Sequence, residues 1–310
     1  MLDVRRLRVL REVAARGSFS AAAEALAYTQ SAVSQQIAAL EREAGTTLVD
    51  RTARGVRLTD AGRALVRHAD AILARLADAE AELEAIAGLR GGRLRLASFP
   101  TAGASIMPVT IARFRERHPG VELSMDLAEP FEYMPRLRAG EWDIAVTNLA
   151  TRKDDDDGVH FLHVLDDPLY VALPAQHRLA RNRAIRLEQL ADEDWMLGSQ
   201  GVCPDTSIFL RSCRRAGFEP RIAFHSDDYT AIQGFVAAGM GVSFIPHLAL
   251  VSVRDDIVIR SLGPRAPVRH VVAATVAGSF LSPAKRAMLD ILVEVGQEFG
   301  ERRAELALVG

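Results

Sequence analysis

Gln30, Ser31, Ser34 and Gln35 fall on one side of a short amphipathic segment whose other side carries Val33, Ile37 and Leu40. Uncharged amides and hydroxyls of this kind hydrogen-bond base edges in a DNA major groove, with Gln a two-pronged partner for adenine. No Lys or Arg lies between Thr29 and Glu41. Phosphate would then have to be held elsewhere, by the helix N-terminus and by Arg51, Arg54 and Arg57, which crowd into the segment that follows. A plain solvated helix face is the other reading of the same residues.

A second group of candidates lies in the later two thirds. Leu94-Arg95-Leu96-Ala97 reads as a strand, and Ser98-Phe99-Pro100-Thr101 as the turn into a helix. Ligands of open α/β sheets sit outside the carboxyl ends of strands, where helix N-termini point. Ser98 and Thr101 would offer hydroxyls there, a setting suited to a carboxylate or another small anion, although Ser98 could equally be a simple helix cap. Asn148 follows the strand Asp143–Val146 by the same logic. The loop Ser199-Gln200-Gly201-Val202-Cys203 leads from a strand containing Trp195-Met196-Leu197 into another helix.

Other reactive residue types form no recognisable constellation. Asp154 to Asp157, with His160 and His163 nearby, lack metal-ligand spacing and read as a solvated loop, so no metal is expected. Cys213 falls at helical spacing with Phe209 and reads as a core residue, while Arg211, Arg214 and Arg215 surround it in sequence. No nucleophile elbow, phosphate-binding glycine loop or paired-cysteine motif occurs, so neither an enzyme nor a cofactor is expected.

The elements that would position these residues follow from periodicity. Leu7, Leu10, Val13 and Ala14 predict a first helix ending near Gly17. Ser18 can cap a second, Phe19 to Ala27, and Thr29 a third, Gln30 to about Glu43, closed by Gly45. A short helix, a tight connection and a longer helix make a helix-turn-helix. Leu48 to Leu58 predicts a hairpin with a glycine turn, a wing. Asp60 opens a long helix in which Leu65, Ala69, Ile72, Leu76, Ala79, Leu83 and Ile86 keep heptad spacing. Such a helix does not persist alone in water, which implies a partner helix, most simply from a second subunit through residues 60–89; packing on its own domain is the alternative.

The 310 residues, 49% hydrophobic and 25% charged, exceed one ordinary domain and can bury a sizeable core. A net charge of −2 argues against a protein that coats nucleic acid or membrane by bulk charge, but not against a local basic site. All 13 prolines follow Gly91, and strand-like runs alternate with helical ones from there on. That change marks a boundary at Gly88 to Gly92. Two cysteines cannot make a disulfide framework, no leader-like start is seen, and no run approaches the ~20 apolar residues of a spanning helix. A soluble, cytoplasmic protein with no membrane partner is expected.

Several stretches together resemble the LysR-type transcriptional regulators. They are Leu7-x-x-Leu10-x-x-Val13-Ala14, Gly17-Ser18-Phe19-Ser20-x-Ala22-Ala23-x-x-Leu26, Thr29-Gln30-Ser31-Ala32-Val33-Ser34-x-Gln36-Ile37-x-x-Leu40-Glu41, Gly45-x-x-Leu48-x-x-Arg51 and Leu58-Thr59-x-Ala61-Gly62. Ser31 stands where the family often has proline and Val49 where it often has phenylalanine. Weaker likeness continues through Met107-Pro108, Gly140-Glu141-Trp142-Asp143-Ile144-Ala145-Val146 and Phe235-Val236-Ala237-Ala238-Gly239-Met240-Gly241-Val242-Ser243-Phe244-Ile245-Pro246.

The resemblance implies an N-terminal all-α winged helix-turn-helix (1–59), a linker helix (60–90) and a C-terminal α/β effector domain (91–300). The last would be two-lobed like a periplasmic binding protein, with one lobe of about 93–164 plus 268–300, a second of about 165–267, and a tail at 301–310. It also implies promoter DNA as partner, contacted by Ser20, Thr29, Gln30, Ser31, Ser34, Gln35, Arg51 and Arg54, and a homodimer assembling to a homotetramer. A small effector, such as a carboxylate, would bind at Ser98, Phe99, Thr101, Asn148, Ser199, Gln200 and Cys203. Peroxide-sensing members use a cysteine pair in this stretch, so Cys203 with Cys213 offers a redox alternative. A transport-type binding protein would explain only the second region.

Overall fold

The computed structural model describes residues 1–52, 55–86, 92–128, 130–151, 155–156, 158–198 and 204–309. The chain folds as two units, the first centred on residues 1–88 and the second on most of the remainder.

In the first unit, α1 (Val4–Arg16) starts at Asp3, whose side chain accepts the Arg5 N–H, and stops at Gly17 in the left-handed conformation. α2 (Phe19–Ala25) and α3 (Gln30–Ala44) begin at Ser18 and Thr29, whose hydroxyls accept the N–H groups of Ala21 and Ala32. Both caps follow from their sequence positions. α2 ends two residues earlier than its alanine run suggests, because Ala27 takes a φ of 54° and turns the chain into α3. Leu7, Leu10, Val13, Phe19, Val33, Ile37, Leu40 and Leu48 pack into one core.

The wing pairs β1 (Val49–Thr52) with β2 (Gly55–Leu58). Glu41 fixes it to α3: its Oε1 accepts the Leu48 and Val49 N–H groups at 2.8 and 3.2 Å. α4 (Asp60–Ile86) then starts hard against the wing, and a Cβ at Gly62 would collide with the Leu48 carbonyl. Along α4, Ala69 and Leu73 are buried, whereas Ile72, Leu76 and Leu83 stay 41, 41 and 66% exposed.

The second unit runs β3 (Gly92–Ser98), α5 (Pro100–Ala104), α6 (Ile106–Arg117), β4 (Val121–Leu127), α7 (Pro130–Arg138), β5 (Ile144–Leu149), β6 (Asp155–Asp156) and β7 (Val159–Pro174). It continues with β8 (Asp194–Leu197), α8 (Pro204–Arg215), β9 (Arg221–His225), α9 (Tyr229–Ala237), β10 (Val242–Pro246), β11 (Ile257–Arg260), β12 (Val268–Val276) and α10 (Pro283–Val309). The strand order is β4-β3-β5-β12-β7-β10-β8-β9, with β6 and β11 also on β7.

β7 belongs to both lobes. Up to Pro168 it pairs with β12, and from Leu169 with β10. Proline suits the changeover because a residue that switches partner has no ladder donor to lose. The crossing falls at 168/169, within a few residues of the boundary of about 164/165 that the resemblance implies, and Asp166, Asp167 and Pro168 interrupt the apolar run there. α10 likewise carries on to Val309, so the segment expected as a tail is helical as far as it is described.

Candidate functional site

The first unit presents a polar face on α3. Gln30, Ser31 and Gln35 are exposed, as are Thr29 and Ser20 beside them, and Ser34 is half-buried. Thr29 is partly committed, since its Oγ1 caps α3 and shares a 3.0 Å hydrogen bond with Ser31 Oγ. Gln36, one residue further on, turns the other way and accepts from Arg6 Nε at 3.2 Å. On the wing, Arg57 is exposed; Arg54 and the Arg51 side chain lie outside the described residues.

The second unit carries a small, partly open cleft. Phe99, Thr101 and Asn148 line one side, and Asp205, Phe209, Ser226, Asp227, Tyr229 and Phe244 the other. At its floor Arg269 of β12 is 1% exposed and joins both sides. Its Nε donates to Asp167 Oδ2 at 2.7 Å, Nη1 to Asp205 Oδ2 at 2.8 Å and Nη2 to Thr101 Oγ1 at 2.6 Å. The Phe99 ring lies 5.0 Å beneath the guanidinium, a cation–π contact.

Asp205 is the hub on the other side. Its Oδ1 accepts from Asn148 Nδ2 at 2.9 Å, and its Oδ2 from the Tyr229 hydroxyl at 3.2 Å as well as from Arg269. Desolvation is the largest influence on Arg269 and works against its charge, yet Asp205 and Asp167 outweigh it and push its pKa up. Asp167 has no exposure at all; burial pushes its carboxyl up, while Arg269 and the Leu248 N–H pull against that.

Of the residues expected here, Phe99, Thr101 and Asn148 line the cleft; Ser199, Gln200 and Cys203 lie outside the described residues. Ser98 does not line it. It is fully buried, and its Oγ donates to the Phe99 carbonyl at 3.2 Å. Nor is it a cap: α5 begins at Phe99, without a side-chain cap, and has Pro100 in its first turn. The hydroxyl pair on which a carboxylate site was expected is thus not assembled. His163 stands beside Asp166 and His270.

Family models for the LysR substrate binding domain and for the bacterial regulatory helix-turn-helix protein, lysR family, match residues 87–297 and 4–63. The chain belongs to the LysR family. It is similar to the probable HTH-type transcriptional regulator LrrA of Synechococcus elongatus, 31% identical over 96% of this chain and 98% of that protein. It is 35% identical to a probable hydrogen peroxide-inducible genes activator of Mycobacterium avium over 79% of this chain and 78% of the relative. Among solved structures, full-length OxyR from Pseudomonas aeruginosa aligns with a TM-score of 0.73 at 25% identity, covering 96% of this chain and 95% of its own. CbnR, a LysR family transcriptional regulator, aligns at 0.66 and 23%, covering 95% and 99%.

As a LysR-family protein the chain is a DNA-binding transcriptional regulator with an effector-binding domain, in a family of regulators and not of enzymes. No described helix is long and apolar enough to cross a membrane. The redox reading finds no support at Cys213, which is buried, with its thiol pushed up to about 12 by burial and by Glu219. A reactive cysteine needs the opposite shift. Sequence reasoning missed Arg269, Asp205 and Asp167. For Asp167 and Arg269 the signal was present: Asp166 with Asp167, and Arg269, interrupt the apolar strands Leu165 to Leu173 and Val268 to Ala274, where an unpaired charge is costly.

Proposed function

We propose that this LysR-family chain is a cytoplasmic, dimeric or tetrameric regulator of promoter DNA that responds to a small organic cation. Gln30, Ser31, Ser34 and Gln35 read base edges, while Ser20, Thr29, Arg51 and Arg54 hold the DNA backbone. The apolar positions left exposed on α4 pair with those of a second copy. The effector enters the cleft against Phe99, Thr101 and Asn148, with Ser199, Gln200 and Cys203 as further contacts.

The observation behind the effector class is an imbalance of donors and acceptors. Three of the five guanidinium N–H groups of Arg269 already donate, two of them to carboxylates. Asp167 and Asp205 flank that cation, Asp227 also lines the cleft, and the 199–203 loop adds no charge. Asn148 is 2% exposed and its Oδ1 has no hydrogen-bond partner. A buried acceptor of this kind calls for a donor. An ammonium or amidinium supplies one and lowers the local negative charge, and the rings of Phe209, Tyr229 and Phe244 suit an aromatic or alkyl body.

Phenethylamine and 3-phenylpropionate share a shape and differ in charge. One unit charge at about 4 Å is worth about 4 kcal/mol at an effective dielectric of 20. By calorimetric titration of the full chain, the amine should bind at least about a hundredfold tighter. Tighter binding of the carboxylate refutes the class. Amine binding that survives Thr101→Trp refutes the cleft.

A further inference from the structure

The β7–β12 pair has a second face, and it carries a different chemistry from the cleft. Asp167 lies opposite Arg269, and Asp166 opposite His270. Side chains alternate along a strand, so Asp167 and Arg269 point into the cleft floor while Asp166 and His270 point away from it. Three residues apart, His163 and Asp166 should fall on opposite faces of an unbroken strand. The register shifts between Val271 and Val272, so that Leu165 faces Val271 while His163 faces Val272 and Val164 is left over. This bulge restores the phase and brings His163 onto the face of Asp166 and His270.

The three side chains meet. His163 Nε2 lies 2.8 Å and His270 Nδ1 2.7 Å from the same oxygen, Asp166 Oδ1, and the ligand-capable atoms of all three fall within 4.8 Å of one another. Their side chains are 39, 19 and 42% exposed for His163, His270 and Asp166. Solvent therefore reaches the group, and water can complete a coordination shell. Two imidazole nitrogens and one carboxylate oxygen on one face, with open positions beyond, form a donor set for borderline divalent ions such as zinc, nickel or cobalt. Magnesium and calcium demand oxygen ligands throughout.

We propose that His163, Asp166 and His270 bind a divalent transition-metal ion on the face of the β7–β12 pair opposite the effector cleft. The ion takes the nitrogen lone pairs and the carboxylate oxygen, and any proton held between them leaves to solvent. It fastens β7 to β12 just before β7 passes to the second lobe at Leu169, independently of what the cleft binds.

The test is calorimetric titration of the chelator-stripped full chain with zinc chloride, nickel chloride and magnesium chloride. Zinc and nickel should bind once per chain, and magnesium should not. Removing an outer-shell partner costs a metal site 10–100-fold, so removing a ligand by His163→Gln or His270→Gln should weaken zinc by about a hundredfold or more. His68→Gln, on α4, should leave it unchanged. Cobalt-loaded wild type gives a readout without substitution: two paramagnetically shifted imidazole N–H resonances. Absence of zinc binding, binding that survives the double His163→Gln, His270→Gln variant, or a cobalt spectrum lacking the two imidazole signals each overturns the proposal.

Discussion

Replacing Arg269 with Met keeps most of the stem length and removes the charge. Asp167, with no exposure, then keeps only the Leu248 N–H at 3.1 Å among its hydrogen bonds to described residues, and Thr101 loses the Nη2 donor. Leaving one member of a buried pair unpartnered costs about 3–5 kcal/mol. For a folding unit of roughly 200 residues, each kcal/mol moves the melting temperature by about 2–4 °C, so a fall of about 6–20 °C is expected in scanning calorimetry with chelator present. The double variant Arg269→Met, Asp167→Leu removes both charges and should recover most of that loss. The pH dependence has a definite sign. Burial already pushes the Asp167 carboxyl up, and losing the guanidinium leaves that push less opposed. A folded-state pKa above the unfolded one stabilises below the unfolded value, and that contribution is lost as pH rises through the folded one, by up to about 1.4 kcal/mol per unit. The deficit of Arg269→Met should thus widen as pH rises above the ordinary carboxylate range. A loss below about 1 kcal/mol, no rescue by Asp167→Leu, or a deficit independent of pH would refute the reasoning.

Three further outcomes follow from the same structure. Gln30→Ala and Gln35→Ala should each cost about 1–3 kcal/mol at the cognate site with little change on random DNA, whereas Arg54→Ala should weaken all sequences alike and reduce the salt slope by about one, as read by anisotropy at several salt concentrations. Leu76→Glu with Leu83→Glu should lower the oligomeric state in light scattering, because both exposed side chains lie on the heptad seam of α4. Cys213, with its thiol pushed up to about 12, should resist alkylation near neutral pH until the chain unfolds, as read by mass spectrometry.

Local physics made the first unit legible. Ser18 and Thr29 act as caps and Gly17 and Gly45 as left-handed stops, because those roles depend on neighbours in sequence. The end of α2 was less legible, since nothing in an alanine-rich run announces that Ala27 will take a positive φ. In the second unit the strands could be placed, but their partners could not. Thr101 and Asn148 reach the cleft as expected from their positions after β3 and in β5, yet the group that engages Thr101 comes from residue 269. The same distance hid the cluster of His163, Asp166 and His270, which needs both the pairing of β7 with β12 and the extra residue at Val164.

Asp205 joins recognition to motion. It accepts from Asn148 and Arg269 on one side of the cleft and from Tyr229 on its own. Three donors leave little acceptor capacity on one carboxylate. An ammonium that takes Asp205 finds one open position on Oδ1, and any second bond to this carboxylate displaces or shares one of these. If it displaces Tyr229, the lobes stay tied; if it displaces Asn148 or Arg269, a tie between them is traded for the ligand. The effector can shift the balance only by its difference in affinity for the tied and untied states. Asp205→Asn, which keeps the shape but weakens the charge-assisted tie to Arg269, should thus alter the response to an amine more than the binding of DNA.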